Sequence, residues 1–194
     1  MTQKYNIAVA GATGAVGTEI VQILEQRDFP IENLYLLASS KSKGKKVEFK
    51  DKEIVVEDLS EFDFSKAHIG LFSPGGKISA EYAPKAAKTG CIVIDNTSHF
   101  RMQQNIPLIV PEVNANALDE FFDDENRTNI ISNPNCSTIQ MVVALKPLHE
   151  KAIINRVVVS TYQAVSGAGK IGMDELFNQT QNVYANQELK KEKF

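Results

Sequence analysis

A cysteine at the start of a predicted helix is the residue of this chain best suited to chemistry. Cys136 lies in Asn135-Cys136-Ser137, and apolar residues at helical spacing follow over residues 139–150. Pro134 and Asn135 are residue types that begin helices. The unpaired N–H groups and positive dipole of a helix N-terminus favour a thiolate, so Cys136 is predicted to be a nucleophile near neutral pH. The alternative is a small buried residue at a turn, because free cysteines are often buried.

A glycine-rich turn near the N-terminus provides a partner for this thiol. Residues 5–10, predicted as a buried strand, lead into Gly11-Ala12-Thr13-Gly14-Ala15-Val16-Gly17, and residues 18–26 are predicted as a helix. Glycines in this context let a pyrophosphate approach the helix N-terminus. The spacing G-x-x-G-x-x-G departs from the commoner G-x-G-x-x-G, but it still predicts a phosphate-binding turn. The alternative is a tight strand-to-helix turn without a ligand.

The segment after the second predicted strand indicates which dinucleotide binds. Residues 34–37 are apolar and lie about twenty residues after the glycines, where an NAD-binding fold places an acidic residue on the ribose. No acid occurs there, and residues 38–46 instead carry hydroxyl and ammonium groups, which suit a 2′-phosphate. We therefore predict NADP (NADPH) as the cofactor, with a solvated basic loop as the alternative.

Strand and helix patterns alternate along the chain and predict a doubly wound α/β sheet for residues 1–131. Further strands are predicted at residues 46–57 (as a pair), 68–72, 91–95, 106–110 and 129–131, and further helices at residues 78–89 and 114–122. In such a sheet the loops at the carboxyl ends of the strands meet in one ligand-binding crevice. We expect the glycine turn, residues 73–76 and residues 95–98 to converge there.

A second domain is predicted to begin at residue 132 and to be incomplete. Residues 132–194 contain the helix of the cysteine, a predicted long strand over residues 155–165 and a predicted helix over residues 173–191. One helix, one strand and another helix cannot close a sheet or bury their apolar faces well.

Composition excludes several other function classes. The formal net charge of −3 and the absence of a basic stripe give no reason to expect a nucleic-acid partner. No apolar run is long enough to cross a membrane, and Met1 to Tyr5 carry no apolar signal region, so a cytoplasmic location is expected. Cys91 and Cys136 are the only cysteines, which implies neither a disulfide framework nor a metal site, and Cys91 is predicted to be a core residue.

Taken together, five motifs resemble aspartate-semialdehyde dehydrogenase, and they occur in that family's order. They are Gly11-Ala12-Thr13-Gly14-Ala15-Val16-Gly17, Asp95-Asn96-Thr97-Ser98-His99-Phe100-Arg101, Val110-Pro111-Glu112-Val113-Asn114, Asn133-Pro134-Asn135-Cys136-Ser137-Thr138 and Gln163-Ala164-Val165-Ser166-Gly167-Ala168-Gly169. The resemblance implies a Rossmann-type NADP-binding domain followed by an incomplete α+β catalytic and dimerisation domain. It also implies NADPH-dependent conversion of L-aspartyl 4-phosphate to L-aspartate 4-semialdehyde, in the biosynthesis of lysine (through diaminopimelate), threonine and methionine, by a homodimer or homotetramer.

The same resemblance implies roles for individual residues. Cys136 would attack the acyl phosphate to form a thioester, and Asn135 with the Cys136 N–H would stabilise the oxyanion. Arg101 would hold the substrate phosphate, and Gln163 would position the substrate. The residues expected to contact the cofactor are Gly11, Thr13, Gly14, Ala15, Val16, Ser39, Lys41, Ser42, Ser73, Gly75, Gly76, Asn96, Ser166 and Gly167. Lys41 replaces an arginine often found in the family, which keeps the charge but loses the bidentate fork.

One departure from the family concerns its acid–base histidine. In the family that residue lies downstream of any motif present here, and His68, His99 and His149 do not match it. The chain is therefore expected to be the N-terminal portion of a longer enzyme, weakly active or inactive alone. The alternatives are N-acetyl-gamma-glutamyl-phosphate reductase, the more remote glyceraldehyde-3-phosphate dehydrogenase, and a non-catalytic nucleotide-binding or subunit-interaction module. The first two have a different cysteine motif, whereas the missing histidine favours the module.

Overall fold

A computed structural model describes residues 3–192. Its strands are β1 (Tyr5–Ala10), β2 (Ile31–Ala38), β3 (Lys46–Phe49), β4 (Lys52–Asp58), β5 (Ile69–Phe72), β6 (Ile92–Asp95) and β7 (Ile130–Ser132). Its helices are α1 (Ala15–Gln26), α2 (Gly76–Lys88), α3 (Pro111–Asn114), α4 (Ala117–Asp123), α5 (Cys136–Lys151) and α6 (Gly169–Tyr184). Met1 and Thr2, part of the segment in which no signal region is predicted, lie outside the described residues.

Contacts divide the chain into two units, Met1–Asn155 and Arg156–Phe194. The first unit contains every strand of the described residues and helices α1 to α5, and the second contains α6. The predicted domain boundary between residues 131 and 132 is a different division, based on the start of the thiol-bearing segment, and it stays a prediction.

The first unit contains a seven-stranded sheet in the order β3-β4-β2-β1-β5-β6-β7. All neighbouring pairs are parallel except β3 and β4, which form an antiparallel pair at one edge. The strand order reverses direction at β1, which lies between β2 and β5. Doubly wound sheets bind their ligands beyond the carboxyl ends of the strands where the order reverses, and in this sheet that place is the end of β1. This architecture confirms the predicted doubly wound α/β fold class.

Two helices bury opposite faces of this sheet, and the side chains of β1 alternate between them. Ile7 and Val9 pack in one apolar cluster with Val21 of α1. Ala8 and Ala10 pack in the other cluster, together with the alanines on the buried face of α2. A strand covered on both faces is apolar at successive positions, which is why residues 5–10 contain no charged residue. This burial anchors the glycine turn that follows β1.

The prediction of a strand over residues 106–110 was wrong. Only Leu108 forms a bridge, with Ser132 of β7. Pro107 has no N–H to donate, and Pro111 begins α3, so proline on both sides prevents a longer ladder. The Asn114 side chain also accepts a hydrogen bond from the Val110 N–H at 2.9 Å, which removes another potential ladder donor.

The second predicted element that fails is the strand over residues 155–165. Within residues 3–192 no strand pairs with this segment, and several of its apolar side chains, including Val158 and Tyr162, are exposed. A strand requires a partner for its backbone groups, and the alternating pattern by itself does not provide one. Helix α6 also ends earlier than predicted, at Tyr184, because Asn186 adopts a left-handed conformation with φ of 54°.

Candidate active site

The candidate nucleophile occupies the first position of α5. Helix α5 follows the short strand β7, and Asn135 caps its N-terminus: the Asn135 side-chain oxygen accepts a hydrogen bond from the Thr138 N–H at 2.8 Å. Cys136 is exposed and not in a disulfide. The predicted placement of the thiol at a helix N-terminus is therefore confirmed, and the helix starts earlier than residue 139. With Oδ1 of Asn135 used as the cap, its Nδ2 group is the end that remains for a ligand oxygen.

Arg101 lies half-buried between the loops that follow β6 and β7. Its Nε donates a hydrogen bond to the Asn133 carbonyl at 2.9 Å, and its Nη2 donates to the Asn96 carbonyl at 3.0 Å. A guanidinium has five N–H groups, so these two bonds leave three for an anion. Asn133 precedes Cys136 by three residues. The arginine predicted to hold phosphate is thus hydrogen-bonded to the segment that carries the thiol.

The loop that contains Asn96 is shaped by Asp95, a residue to which the sequence analysis assigned no role. Oδ1 of Asp95 accepts hydrogen bonds from the Thr97 N–H at 2.8 Å and from the Thr97 hydroxyl at 2.7 Å. The Asp95 backbone carbonyl accepts a bond from the Asn133 N–H at 2.9 Å. The signal for this turn is present in the sequence, because Asp followed two residues later by Thr, after a buried strand, is typical of an Asx turn.

The glycine turn has close backbone contacts that explain two of its glycines. Gly11 has φ of 86°, and a Cβ there would lie 2.8 Å from the Ser73 carbonyl carbon. A Cβ on Gly17 would lie only 2.1 Å from the Gly11 carbonyl oxygen. Between them, Thr13 to Val16 are exposed, and α1 begins without a side-chain cap at Gly14. No side chain therefore caps the N–H groups at the start of α1, and an uncapped helix N-terminus is suited to bind a phosphate.

The loop after β2 approaches the glycine turn. The Thr13 hydroxyl lies within hydrogen-bond distance of the Ser42 hydroxyl, at 3.4 Å. Lys43 is held by Glu61, and this pairing raises the Lys43 pKa above its ordinary value. Lys41 is exposed and forms no ion pair with any residue in the described range 3–192. Among these lysines, Lys41 is therefore the better candidate for a ligand phosphate.

The other strand-end residues predicted to contact the cofactor lie beside this turn. Ser73 donates its N–H to the β1 carbonyl of Ala10 at 2.9 Å, and Asn96 donates its N–H to a β5 carbonyl at 2.8 Å. Gly75, with φ of 95°, caps α2. A Cβ on Gly76 would lie 3.7 Å from the Ser98 hydroxyl, so the start of α2 faces the loop after β6. The structure thus brings the ends of β1, β5 and β6 together, as expected.

Three predicted site residues belong to the second unit. Ser166 and Gly167 lie in a short 3-10 turn, Val165–Ala168, directly before α6. Gln163 lies in the segment without regular secondary structure that precedes this turn. Their assignment to substrate and cofactor binding stays a prediction.

The remaining candidate groups have structural roles. Cys91 is fully buried, and burial raises the pKa of its thiol to about 12, which makes it unreactive near neutral pH. His68 accepts a hydrogen bond at Nδ1 from the Asn6 N–H at 2.9 Å, and His149 accepts one at Nδ1 from the Ile154 N–H at 3.2 Å.

The part of the chain that the structure describes contains neither a cluster of metal-ligating side chains nor a membrane-spanning helix. No group of three or more His, Cys, Asp or Glu side chains within residues 3–192 is placed to hold a metal ion. In the same range, none of the helices combines the length and the apolar character needed to span a bilayer.

Comparison with known proteins gives consistent matches along the chain. Residues 6–121 match the family described as semialdehyde dehydrogenase, NAD binding domain, and residues 145–194 match the semialdehyde dehydrogenase dimerisation domain. The chain is 56% identical to aspartate-semialdehyde dehydrogenase 2 of Vibrio cholerae over 180 residues. These residues cover 93% of this chain and 52% of that protein. It is 52% identical over 194 residues to the Rickettsia typhi aspartate-semialdehyde dehydrogenase, covering 100% of this chain and 56% of that protein. The chain therefore spans about half the length of the curated relatives it matches.

Solved structures give the same result. The crystal structure of aspartate semialdehyde dehydrogenase II complexed with ASA from Vibrio cholerae has a TM-score of 0.93 and 51% identity, covering 100% of this chain and 56% of that chain. The Candida albicans aspartate semialdehyde dehydrogenase, solved with NADP, has a TM-score of 0.66 and 26% identity, covering 78% of this chain and 48% of that chain.

Proposed function

Since this chain belongs to the semialdehyde dehydrogenase family, we propose that its protein is an NADPH-dependent aspartate-semialdehyde dehydrogenase. The proposed reaction converts L-aspartyl 4-phosphate to L-aspartate 4-semialdehyde with release of phosphate, in the biosynthesis of lysine, threonine and methionine. The strongest support is the exposed Cys136 thiol at the start of α5, in the segment whose Asn133 carbonyl binds the guanidinium of Arg101.

The glycine turn and the loop after β2 fit a dinucleotide. The match to a NAD-binding domain indicates a nicotinamide cofactor, and the uncapped start of α1 offers N–H groups to its pyrophosphate. Thr13 approaches Ser42, so the loop that carries Lys41 lies beside this turn. Hydroxyl and ammonium groups, with no carboxylate at the end of β2, support NADPH over NADH.

The proposed chemistry starts with the sulfur of Cys136. The thiolate forms a bond to the acyl carbon of the substrate, the bond from that carbon to the phosphate oxygen breaks, and phosphate leaves with the electron pair. Nδ2 of Asn135 and the Cys136 N–H stabilise the oxyanion that develops during this attack. NADPH, when bound, supplies the hydride that reduces the thioester. Cleavage of the C–S bond then releases the aldehyde and restores the sulfur of Cys136.

Arg101 binds and stabilises the departing phosphate in this proposal. Its two hydrogen bonds to backbone carbonyls hold the guanidinium in one orientation, and its other N–H groups face the anion. A fixed fork of donors stabilises the phosphate without the loss of side-chain freedom that a mobile lysine would incur.

The resemblance and the comparisons also support three further parts of the proposal. The match to a dimerisation domain over residues 145–194 supports a homodimer or homotetramer of the complete protein. A cytoplasmic location agrees with a biosynthetic reaction on small molecules. We propose that the 194 residues alone are weakly active or inactive, because they span about half of the curated relatives.

Thioester formation tests the proposed chemistry on this chain. We expect incubation with L-aspartyl 4-phosphate, without cofactor, to add one aspartyl group to Cys136, detected by peptide mass spectrometry. A Cys136→Ala variant should not be modified, whereas the matched Cys91→Ala variant should be. If no thioester forms and inorganic phosphate does not slow iodoacetamide modification of Cys136, the proposal is wrong and the chain is a non-catalytic module.

A turnover assay tests the proposal that the 194 residues alone are weakly active or inactive. The assay measures reduction of NADP by the 194-residue chain with L-aspartate 4-semialdehyde and phosphate. Turnover at the rate of a complete homologue would contradict this part of the proposal and leave the thioester chemistry standing.

A further inference from the structure

The two carbonyl groups that orient Arg101 belong to neighbours of Asp95: Asn96 follows it in the chain, and Asn133 is hydrogen-bonded to it. The Asn133 carbonyl accepts from Nε of Arg101, and the N–H of Asn133 donates to the Asp95 backbone carbonyl at 2.9 Å. The Asn96 carbonyl accepts from Nη2 of Arg101, and Asn96 lies inside the turn that the Asp95 side chain closes. The Asp95 side chain therefore acts on the Asn96 carbonyl through the turn, while its backbone carbonyl binds the N–H of Asn133.

Thr97 is the residue through which the side-chain route acts. Its N–H and its hydroxyl both donate to Oδ1 of Asp95, at 2.8 Å and 2.7 Å. The hydroxyl oxygen also accepts a bond from the His99 N–H at 3.4 Å. This turn fixes the peptide between Asn96 and Thr97, whose carbonyl oxygen Arg101 contacts. Without the hydroxyl, the turn keeps only the bond from the Thr97 N–H to Oδ1 of Asp95.

The burial of Asp95 indicates that a contribution to stability does not by itself explain why this residue occupies the position. Its side chain has no exposed surface, and Oδ2 has no hydrogen-bond partner within the described residues. The neighbouring residue of β7 in the sheet register, Ser132, is also fully buried, with a hydroxyl that forms no hydrogen bond in the same range. Buried polar groups that are only partly satisfied reduce stability, and they persist mainly where they serve a site.

We propose that Asp95 is a positioning residue for the anion site of Arg101, and that the Thr97 hydroxyl is required for its effect. The inference rests on the proposed function, in which Arg101 binds the phosphate of the substrate. Asp95 contacts neither substrate nor cofactor in this proposal. It holds the two carbonyl groups at the spacing that directs the remaining N–H groups of Arg101 toward phosphate.

The test measures inorganic phosphate binding to the 194-residue chain by its protection of Cys136 from iodoacetamide. We expect Thr97→Val, which is close in shape but lacks the hydroxyl, to raise the half-protecting phosphate concentration about tenfold, since a misdirected charge-assisted hydrogen bond is lost. Thr97→Ser restores the hydroxyl and should restore the affinity. Thr89→Val is the matched control, because it removes a hydroxyl that donates to the Ala86 carbonyl at 2.8 Å near the far end of α2; phosphate protection should be unchanged there.

Thermal unfolding of each variant separates positioning from stability. We expect both Thr97→Val and Thr89→Val to unfold cooperatively, with only Thr97→Val losing phosphate affinity. Because Thr97 is buried and Thr89 is exposed, Thr97→Val should also lose more stability. Asp95→Asn keeps an oxygen that accepts both bonds from Thr97, so it should retain phosphate affinity. Wild-type affinity in Thr97→Val, or a tenfold loss in Thr97→Ser or Asp95→Asn, would overturn the inference and leave the proposed function intact. Absence of phosphate protection in the wild-type chain would overturn the inference. Together with absence of the Cys136 thioester, it would overturn the proposed function as well.

Discussion

Replacement of Gly17 by alanine tests whether the glycine turn is as tightly packed as the structure indicates. Gly17 lies inside α1, where alanine would by itself stabilise the helix by about 1 kcal/mol. Its Cβ, however, would lie 2.1 Å from the Gly11 carbonyl oxygen and 2.8 Å from Cα of Ala12. These atoms belong to the backbone and cannot rotate away as a side chain would. The contact must lengthen by about 1.3 Å, from 2.1 Å to 3.4 Å, to reach an ordinary van der Waals distance.

The two effects oppose each other, and their magnitudes decide the sign. Overpacking usually costs about 1–3 kcal/mol, and a clash with rigid backbone belongs at the upper end. After subtraction of the helix propensity, we expect Gly17→Ala to lose about 2 kcal/mol of unfolding free energy. This corresponds to a decrease of about 1 M in the urea midpoint. The displaced turn should also bind NADPH more weakly.

The assay is urea unfolding followed by far-ultraviolet circular dichroism, with NADPH affinity measured by fluorescence titration. Gly76→Ala is the control for stability, because its Cβ would lie 3.7 Å from the nearest atom and its backbone has no positive φ. We expect that control to stay within about 0.5 kcal/mol of wild type. If Gly17→Ala were as stable as the control and bound NADPH normally, the proposed packing of the turn would be refuted.

Iodoacetamide near pH 8 should modify Cys136 and spare Cys91. With a pKa of about 12, only about one Cys91 side chain in ten thousand is ionised at that pH. Equal modification of the two cysteines in peptide mass spectrometry would contradict this expectation. The folded state keeps the Cys91 proton above pH 9.0, where the unfolded state releases it, so stability should fall as pH rises from there toward about 12. Cys91→Ala should show a shallower fall in urea titrations at neutral and alkaline pH. Lys41→Ala should raise the Kd for NADPH about tenfold and leave NADH binding unchanged, with a smaller effect of Lys43→Ala; the reverse order would assign the 2′-phosphate to Lys43. Asn135→Ala should cost about 1 kcal/mol in thermal unfolding through loss of the helix cap, and Asn135→Asp should not; equal stability of the two variants would show that the cap contributes little.

The parts of the fold that were predictable from the sequence are those determined by neighbouring residues. β1, its glycine turn and α1 follow each other without a break, and each has its own local pattern. The same holds for the thiol of Cys136, because its position depends on the cap at Asn135 one residue earlier. Strand ends that converge on one crevice were also predictable, since parallel sheets place their carboxyl ends at one edge.

The features that were not predictable depend on contacts between distant residues. The pattern over residues 155–165 is that of a strand, yet no strand within residues 3–192 pairs with it. The pairing of Lys43 with Glu61 joins residues 18 positions apart, so the sequence could not show which lysine is engaged. The proposed role of Asp95 depends on the contacts of Arg101 with the Asn96 and Asn133 carbonyls, and the sequence does not show which carbonyls an arginine binds.

The failed strand at residues 106–110 has a consequence for how the chain behaves at high concentration. Beside β7, Pro107 accepts a bond from the Ser132 N–H, and Ile109 donates one to the Ser132 carbonyl. This short contact occupies the open side of β7, while prolines on both sides stop it from extending into a ladder. At the opposite border, β3 is only four residues long and contains Lys46 and Glu48, both exposed. Neither border therefore offers a long, flat row of unpaired backbone groups to another copy, which disfavours edge-to-edge aggregation of the sheet.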